Sequence, residues 1–191
     1  GEPAAACDLR APTERLMVAT AHRRESFGAG ARQVCQALTE ALARWADLRL
    51  VFVLHPNPQA SEPIRLALAP ALASGRVVLR EPMDYPEFLA LVGAAWVVVT
   101  DSGGVQEEAT ALGRPVLCTR EVTDRPEGVV AGVVRLVGSR QAEIVAAIGQ
   151  LRDPRVHAAM ARPQDCYGDG RAAQRVVDAL WQWHAGNVVA P

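Results

Sequence analysis

The chain predicts an α/β fold: a parallel sheet with helices on both faces. Short apolar runs alternate with amphipathic stretches along its 191 residues, the pattern of strand–helix–strand units. The apolar runs are continuous and do not alternate with polar residues, as strands buried on both faces require. Polar clusters recur where those runs end, and in such sheets ligands bind at the carboxyl ends of the strands.

The elements follow in order. Residues 1–14 hold Pro3, Pro12 and several alanines without period, and read as a tail or linker remnant. Leu16 to Thr20 is the first strand. Ala29 to Trp45 is helical, with Val34, Leu38, Leu42 and Trp45 on one face. Leu48 to Leu54 is the second strand. Ser61-Glu62-Pro63 signals a helix start, with the helix running to about Ala73. Arg76 to Leu79 is the third strand. Asp84, with Pro86 just inside, opens a short helix ending near Gly93. Trp96 to Thr100, Pro115 to Cys118 and Val133 to Val137 are strands four to six. Helices then cover Arg140 to Leu151, Pro154 to Ala161 and Arg171 to His184. The folded unit is expected over 15–185, with 186–191 as a tail. No internal repeat or low-complexity tract interrupts it.

Composition removes several chemistries. The chain has 20 arginines and no lysine, so Schiff-base, pyridoxal-phosphate and P-loop kinase chemistry are excluded. His22, His55, His157 and His184 show no HExxH-type spacing, so no metal site is expected. Cys7, Cys35, Cys118 and Cys166 contain no CxxC. They read as free thiols of a cytoplasmic protein. A net charge of -1 points to neither nucleic acid nor an anionic membrane. No apolar run is long enough to cross a bilayer, and the first residues lack the layout of a signal peptide.

The most informative segment is Asp101-Ser102-Gly103-Gly104-Val105-Gln106-Glu107-Glu108. A strand that turns through Ser-Gly-Gly into a helix places free backbone N–H groups at a positive dipole end, an anion site suited to phosphate. The glycines admit close approach of a ligand. Glu107 and Glu108, expected in the first turn, suit sugar hydroxyls. The structural alternative is an ordinary helix start with dipole-complementing glutamates. His22-Arg23-Arg24-Glu25 leaves the first strand and could neutralise a diphosphate, with His22 placed to protonate a leaving group. Otherwise the arginines pair with Glu25 and His22 caps the turn. The loop His55-Pro56-Asn57-Pro58 follows the second strand, where His55 is either a ligand or a turn residue. Near the third strand's end, Tyr85 or Phe88 could stack on a base, although Phe88 also fits the core with Leu91 and Val92. Arg125, after the fifth strand, is a further candidate anion ligand. Cys166-Tyr167-Gly168-Asp169-Gly170 reads as a turn before the last helix.

Taken in order, these segments resemble the bacterial non-hydrolysing UDP-N-acetylglucosamine 2-epimerases. The match spans about Leu16 to Leu180, including Glu81-Pro82 with Asp84-Tyr85, and Asp124-Arg125-Pro126-Glu127. The resemblance implies a Rossmann-like domain, the carboxy-terminal half of a GT-B-type fold, whose missing amino-terminal domain faces it across a cleft. It implies that Ser102, Gly103 and Gly104 bind the diphosphate with help from His22 and Arg125. Glu108 would hold the ribose and Phe88 the uracil, with the backbone near Met83. Arg23 and His55 would contact a second, regulatory UDP-sugar. Met83 stands where the family often has a polar residue, so only a backbone contact is implied there. The implied chemistry inverts C2 of the sugar by eliminating UDP to a glycal and adding it back. His22 would be the catalytic group of this half; the main carboxylates would come from the other half. No cofactor is implied, and the intact enzyme would be a homodimer. Alternatives are the donor domain of a GT-B UDP-sugar glycosyltransferase, a non-catalytic nucleotide-binding module, or a hydrolysing relative that releases free N-acetylmannosamine.

Overall fold

A computed structural model describes residues 14–21 and 29–187. It contains six strands, β1 (Arg15–Thr20), β2 (Leu48–Val53), β3 (Val77–Arg80), β4 (Val97–Thr100), β5 (Val116–Cys118) and β6 (Val134–Leu136). All strand pairs are parallel, in the order β3-β2-β1-β4-β5-β6. The chain winds outward from β1 to β3, then returns to the other side of β1 with β4. The reversal of strand order therefore lies between β1 and β4, the place where sheets of this kind bind ligands at their carboxyl ends.

Alternate residues of each strand feed two cores. Met17, Ala19, Leu50, Phe52, Val97 and Val99 pack with α1 (Ala29–Arg44), α2 (Pro58–Leu72) and α6 (Gln141–Leu151). Leu16, Val18, Val51, Val98 and Val116 pack on the opposite face with α3 (Tyr85–Ala94) and α4 (Gly103–Ala111). Apolar residues on both faces explain the unbroken apolar runs in the sequence. Val34, Leu38 and Leu42 are buried along one face of α1, as their spacing predicts.

The second helix begins earlier than Ser61-Glu62-Pro63 suggests. Asn57 caps it, its side-chain oxygen accepting from the Gln59 amide at 3.0 Å, and Pro58 supplies a preset first residue. Pro63 and Pro70 then fall inside the helix, each removing one backbone hydrogen bond. Burial of Ala60, Ile64 and Leu68 holds the helix regardless.

Asp84 caps α3 through the Glu87 amide (3.0 Å). A short helix, α5 (Pro126–Val130), follows β5, and α7 (Pro154–Met160) follows α6. Trp96 stacks on His157, whose Nε2 meets the Trp96 carbonyl at 2.9 Å. That contact accounts for one of the four histidines as a structural group. The last helix, α8 (Ala172–Asn187), projects from the body. Val176, Val177, Leu180, Trp181 and Trp183 are all exposed on it, the two tryptophans by 67% and 69%.

Candidate functional site

The strand reversal between β1 and β4 is built on a hydroxyl pair. Thr20 and Thr100, the last residues of the two strands, lie in register, and their Oγ atoms are 2.7 Å apart. Thr100 Oγ1 also accepts from the Ser102 amide at 2.9 Å. Ser102 caps α4, its Oγ accepting from the Val105 amide at 3.4 Å. Among the described residues, this leaves the amides of Gly103 and Gly104 as the first-turn donors that the cap does not use. They stand at the positive end of the helix dipole. A side chain at Gly104 would meet nothing within 4 Å, so the approach is open. At Gly103 a Cβ would lie 3.6 Å from Asp124 Oδ1 and 3.7 Å from Arg125 Cγ. The loop after β5 therefore crosses this turn and brings Arg125 to it.

The two glutamates sit one turn further along than expected. Because Ser102 is the cap, Glu107 and Glu108 occupy the second turn of α4. They have also separated in role. Glu107 pairs with Nε of Arg125, which raises the arginine's pKa mainly through that hydrogen bond. Glu108 is half-buried and reached by the Tyr85 hydroxyl. Burial pushes its carboxyl above the usual glutamate range, against the pull of the Tyr85 hydrogen bond. Glu107 thus serves the arginine, whereas Glu108 faces Tyr85.

The remaining expected residues distribute as follows. His55 lines a cavity of about 130 Å³ at the ends of β1 and β2, together with Thr20, Ala21 and Val105 from the turn of α4. Its Nδ1 accepts from the Asn57 amide at 3.0 Å, so it also shapes its own loop. Phe88 and Met83 are half-buried against the α3–α4 core, while Tyr85 is exposed. His22, Arg23, Arg24 and Glu25 lie outside the described residues, as does Cys7. Cys35 and Cys166 are free thiols, and Cys118 is buried. Burial pushes the Cys35 thiol up to about 12, which makes it unreactive. Tyr167 of the Cys166–Gly170 turn accepts from the Gly128 amide at 3.1 Å and donates to the Arg125 carbonyl at 3.4 Å.

Two roles escaped the sequence reading. Gln106 of α4 accepts from Thr123, which in turn accepts from the Arg125 amide, so these two residues tie the Arg125 loop to α4, while Tyr167 holds the same loop from the turn before α8. The spacing of Gln106, four residues after the cap, was the available signal for a side chain turned back on Ser102. A larger hollow, about 290 Å³, lies between β6 and α6 and is lined by Glu121, Arg135, Gly138 and Arg140. It lies beside β6, two strands beyond β4, and carries both charge signs, so it is not the candidate site. Among the described residues no helix is long and apolar enough to cross a membrane, and no group of three or more His, Cys, Asp or Glu could hold a metal ion.

A family model described as UDP-N-acetylglucosamine 2-epimerase matches residues 3–181. The UDP-N-acetylglucosamine 2-epimerase of Salmonella typhimurium is 44% identical over 168 residues, covering 87% of this chain and 44% of the relative. The crystal structure of UDP-GlcNAc 2-epimerase from Neisseria meningitidis bound to UDP-GlcNAc superposes with a TM-score of 0.87 at 35% identity. It covers 93% of this chain and 47% of that one. The C-terminal domain of a glycosyl transferase group 1 family protein from Francisella tularensis superposes with a TM-score of 0.62. At 15% identity, over 78% of this chain and 80% of that one, it shares the fold alone. The chain thus spans a little under half the length of the epimerases it matches, and its sheet has the Rossmann-like architecture of a GT-B carboxy-terminal half.

Proposed function

The chain belongs to the UDP-N-acetylglucosamine 2-epimerase family, and from that premise we propose that it is the UDP-holding half of an enzyme interconverting UDP-N-acetylglucosamine and UDP-N-acetylmannosamine. One observation carries this reading. The capped turn Ser102–Gly104 sits at the strand reversal with an open approach at Gly104, Arg125 across it and Glu108 one turn away. The diphosphate rests on the two glycine amides. Glu108 accepts from the ribose hydroxyls, and Phe88 with the backbone at Met83 bounds the uracil.

In the reaction a proton leaves C2 and the C1–oxygen bond breaks, expelling UDP and forming a glycal. Protonation on the opposite face at C2 and return of UDP to C1 give the epimer. This half stabilises the charge on departing UDP through the glycine amides and Arg125. His22 follows β1 by two residues and protonates or hydrogen-bonds the leaving diphosphate. Arg23 and His55 hold a second, regulatory UDP-sugar. The carboxylates that handle the C2 proton belong to an amino-terminal half. The apolar face of α8, bearing Leu180 and Trp181, supports a partner of that size, because exposed stripes of this kind mark contact surfaces. The intact enzyme is a homodimer acting in the cytoplasm, where free thiols such as Cys35 persist.

The glycosyltransferase alternative has only a fold-level likeness behind it. Incubation of the intact protein with UDP-N-acetylglucosamine tests the reading. UDP-N-acetylmannosamine is the expected product, and free N-acetylmannosamine would make the enzyme a hydrolysing relative. Turnover by the 191-residue chain alone would refute the division of labour between halves.

A further inference from the structure

We propose that Gln106 and Thr123 are positioning residues that seat Arg125 over the phosphate turn. The inference rests on the nucleotide reading of the Ser102–Gly104 turn and extends it to residues that never touch the ligand. Gln106 is fully buried, where an unsatisfied amide would be costly. Its Nε2 donates to the Ser102 carbonyl at 3.1 Å, and its Oε1 accepts from Thr123 Oγ1 at 3.0 Å. Thr123 Oγ1 in turn accepts from the Arg125 amide at 3.1 Å.

The direction of each of these three bonds is fixed. A carbonyl can only accept, so the Gln106 NH2 must face Ser102. Its oxygen then faces Thr123, whose single hydroxyl proton points to Gln106 and whose lone pair receives the Arg125 amide. The chain continues on the other side through the Ser102 amide to Thr100 and then Thr20. One connected set of hydrogen bonds therefore runs from the end of β1, under the phosphate turn, to the backbone of Arg125.

The arrangement solves a specific problem. Arg125 stands on the loop between β5 and α5, whose own secondary structure does not fix its distance from α4. The Gln106–Thr123 link sets the backbone, and Glu107 on Nε sets the guanidinium. Asp124's carbonyl takes one Nη1 hydrogen at 3.1 Å. Among the described residues no further hydrogen bond engages the second Nη1 hydrogen or the Nη2 pair, which leaves them for phosphate oxygens. Arginine is pre-aimed, so less side-chain freedom is lost when a diphosphate arrives.

Thr123→Val keeps the shape and removes both hydrogen bonds; Thr123→Ser keeps the hydroxyl. UDP binding to the 191-residue chain is measured by calorimetry at low and at physiological salt, alongside thermal melting. Thr123→Val is expected to weaken UDP binding about tenfold and to flatten its salt dependence, because a displaced guanidinium no longer contributes a screened charge contact. Thr123→Ser is expected to restore both affinity and salt dependence. Amide hydrogen exchange at Arg125 should quicken in Thr123→Val and not in Thr123→Ser. Wild-type affinity and an unchanged salt dependence in Thr123→Val would overturn the positioning role while leaving the nucleotide site standing. A wild-type chain that takes up no UDP at millimolar concentration would overturn the nucleotide reading, and this inference with it.

Discussion

Replacing Gly104 with alanine separates what the phosphate turn does for the fold from what it does for a ligand. Gly104 is the second residue of α4, exposed, with no heavy atom within 4 Å of the position a Cβ would take. Its φ is not in the left-handed region. An alanine therefore fits without strain and adds helix propensity, a gain of about 0.5–1 kcal/mol. For a domain of this size that corresponds to a rise in Tm of roughly 1–4 °C. The same methyl occupies the space through which a diphosphate would reach the Gly103 and Gly104 amides. Losing one or two charge-assisted hydrogen bonds costs about 1.5–3 kcal/mol each, so UDP affinity should fall by at least about tenfold. Differential scanning fluorimetry and UDP calorimetry on one preparation read both quantities. A variant more stable than wild type that binds UDP equally well would show that no phosphate approaches through this turn. A variant that melts lower would show that the helix does not start where the Ser102 cap puts it.

Further outcomes are expected at other positions. Glu108→Ala should weaken UDP binding by about 1–3 kcal/mol, with deoxyribose analogues losing little more in that background; unchanged affinity would reduce Glu108 to a partner of Tyr85. His22→Ala in the intact enzyme should lower kcat/KM by about 10²-fold or more with little change in Tm, and the reverse pattern would make His22 structural. Asp47 bridges Arg15 (2.5 Å) and Arg152 (2.9 Å). Burial raises its pKa, but the Arg152 hydrogen bond and both arginine charges outweigh this and hold it below the ordinary aspartate value. Its contribution to stability is present above the unfolded pKa and is lost as pH falls through the lower folded one. Asp47→Asn should thus lower Tm at neutral pH, with the difference closing in strong acid; a constant difference across that range would deny the linkage.

Much of the fold was legible because each strand announces itself by residues apolar on both sides, as Leu16 to Ala19 and Val97 to Val99 are. Ser102 and Asp84 marked helix starts through their chemistry. The start of α2 was misjudged because Ser61 and Pro63 carry the same chemistry as Asn57 and Pro58, and only the observed Asn57 cap distinguishes them. The strand order was not legible: nothing local in β4 says that it pairs with β1 on the side away from β2. The site's polar edge was legible as a set of loops, and its wiring was not. Glu107 and Glu108 are adjacent and identical in sequence, yet one pairs with an arginine 18 residues on and the other faces Tyr85. Gln106 is an ordinary helix residue until its burial and its two partners are known.

A titration of the isotope-labelled 191-residue chain with UDP, followed by backbone amide NMR, addresses the central claim most directly. Binding at the turn between β4 and α4 predicts that the largest shifts fall on Ser102, Gly103, Gly104 and Val105, with further shifts at Phe88, Glu108 and Arg125. Absence of shifts at the turn, or shifts gathered at Arg135, Gly138 and Arg140 beside the larger hollow, would contradict it.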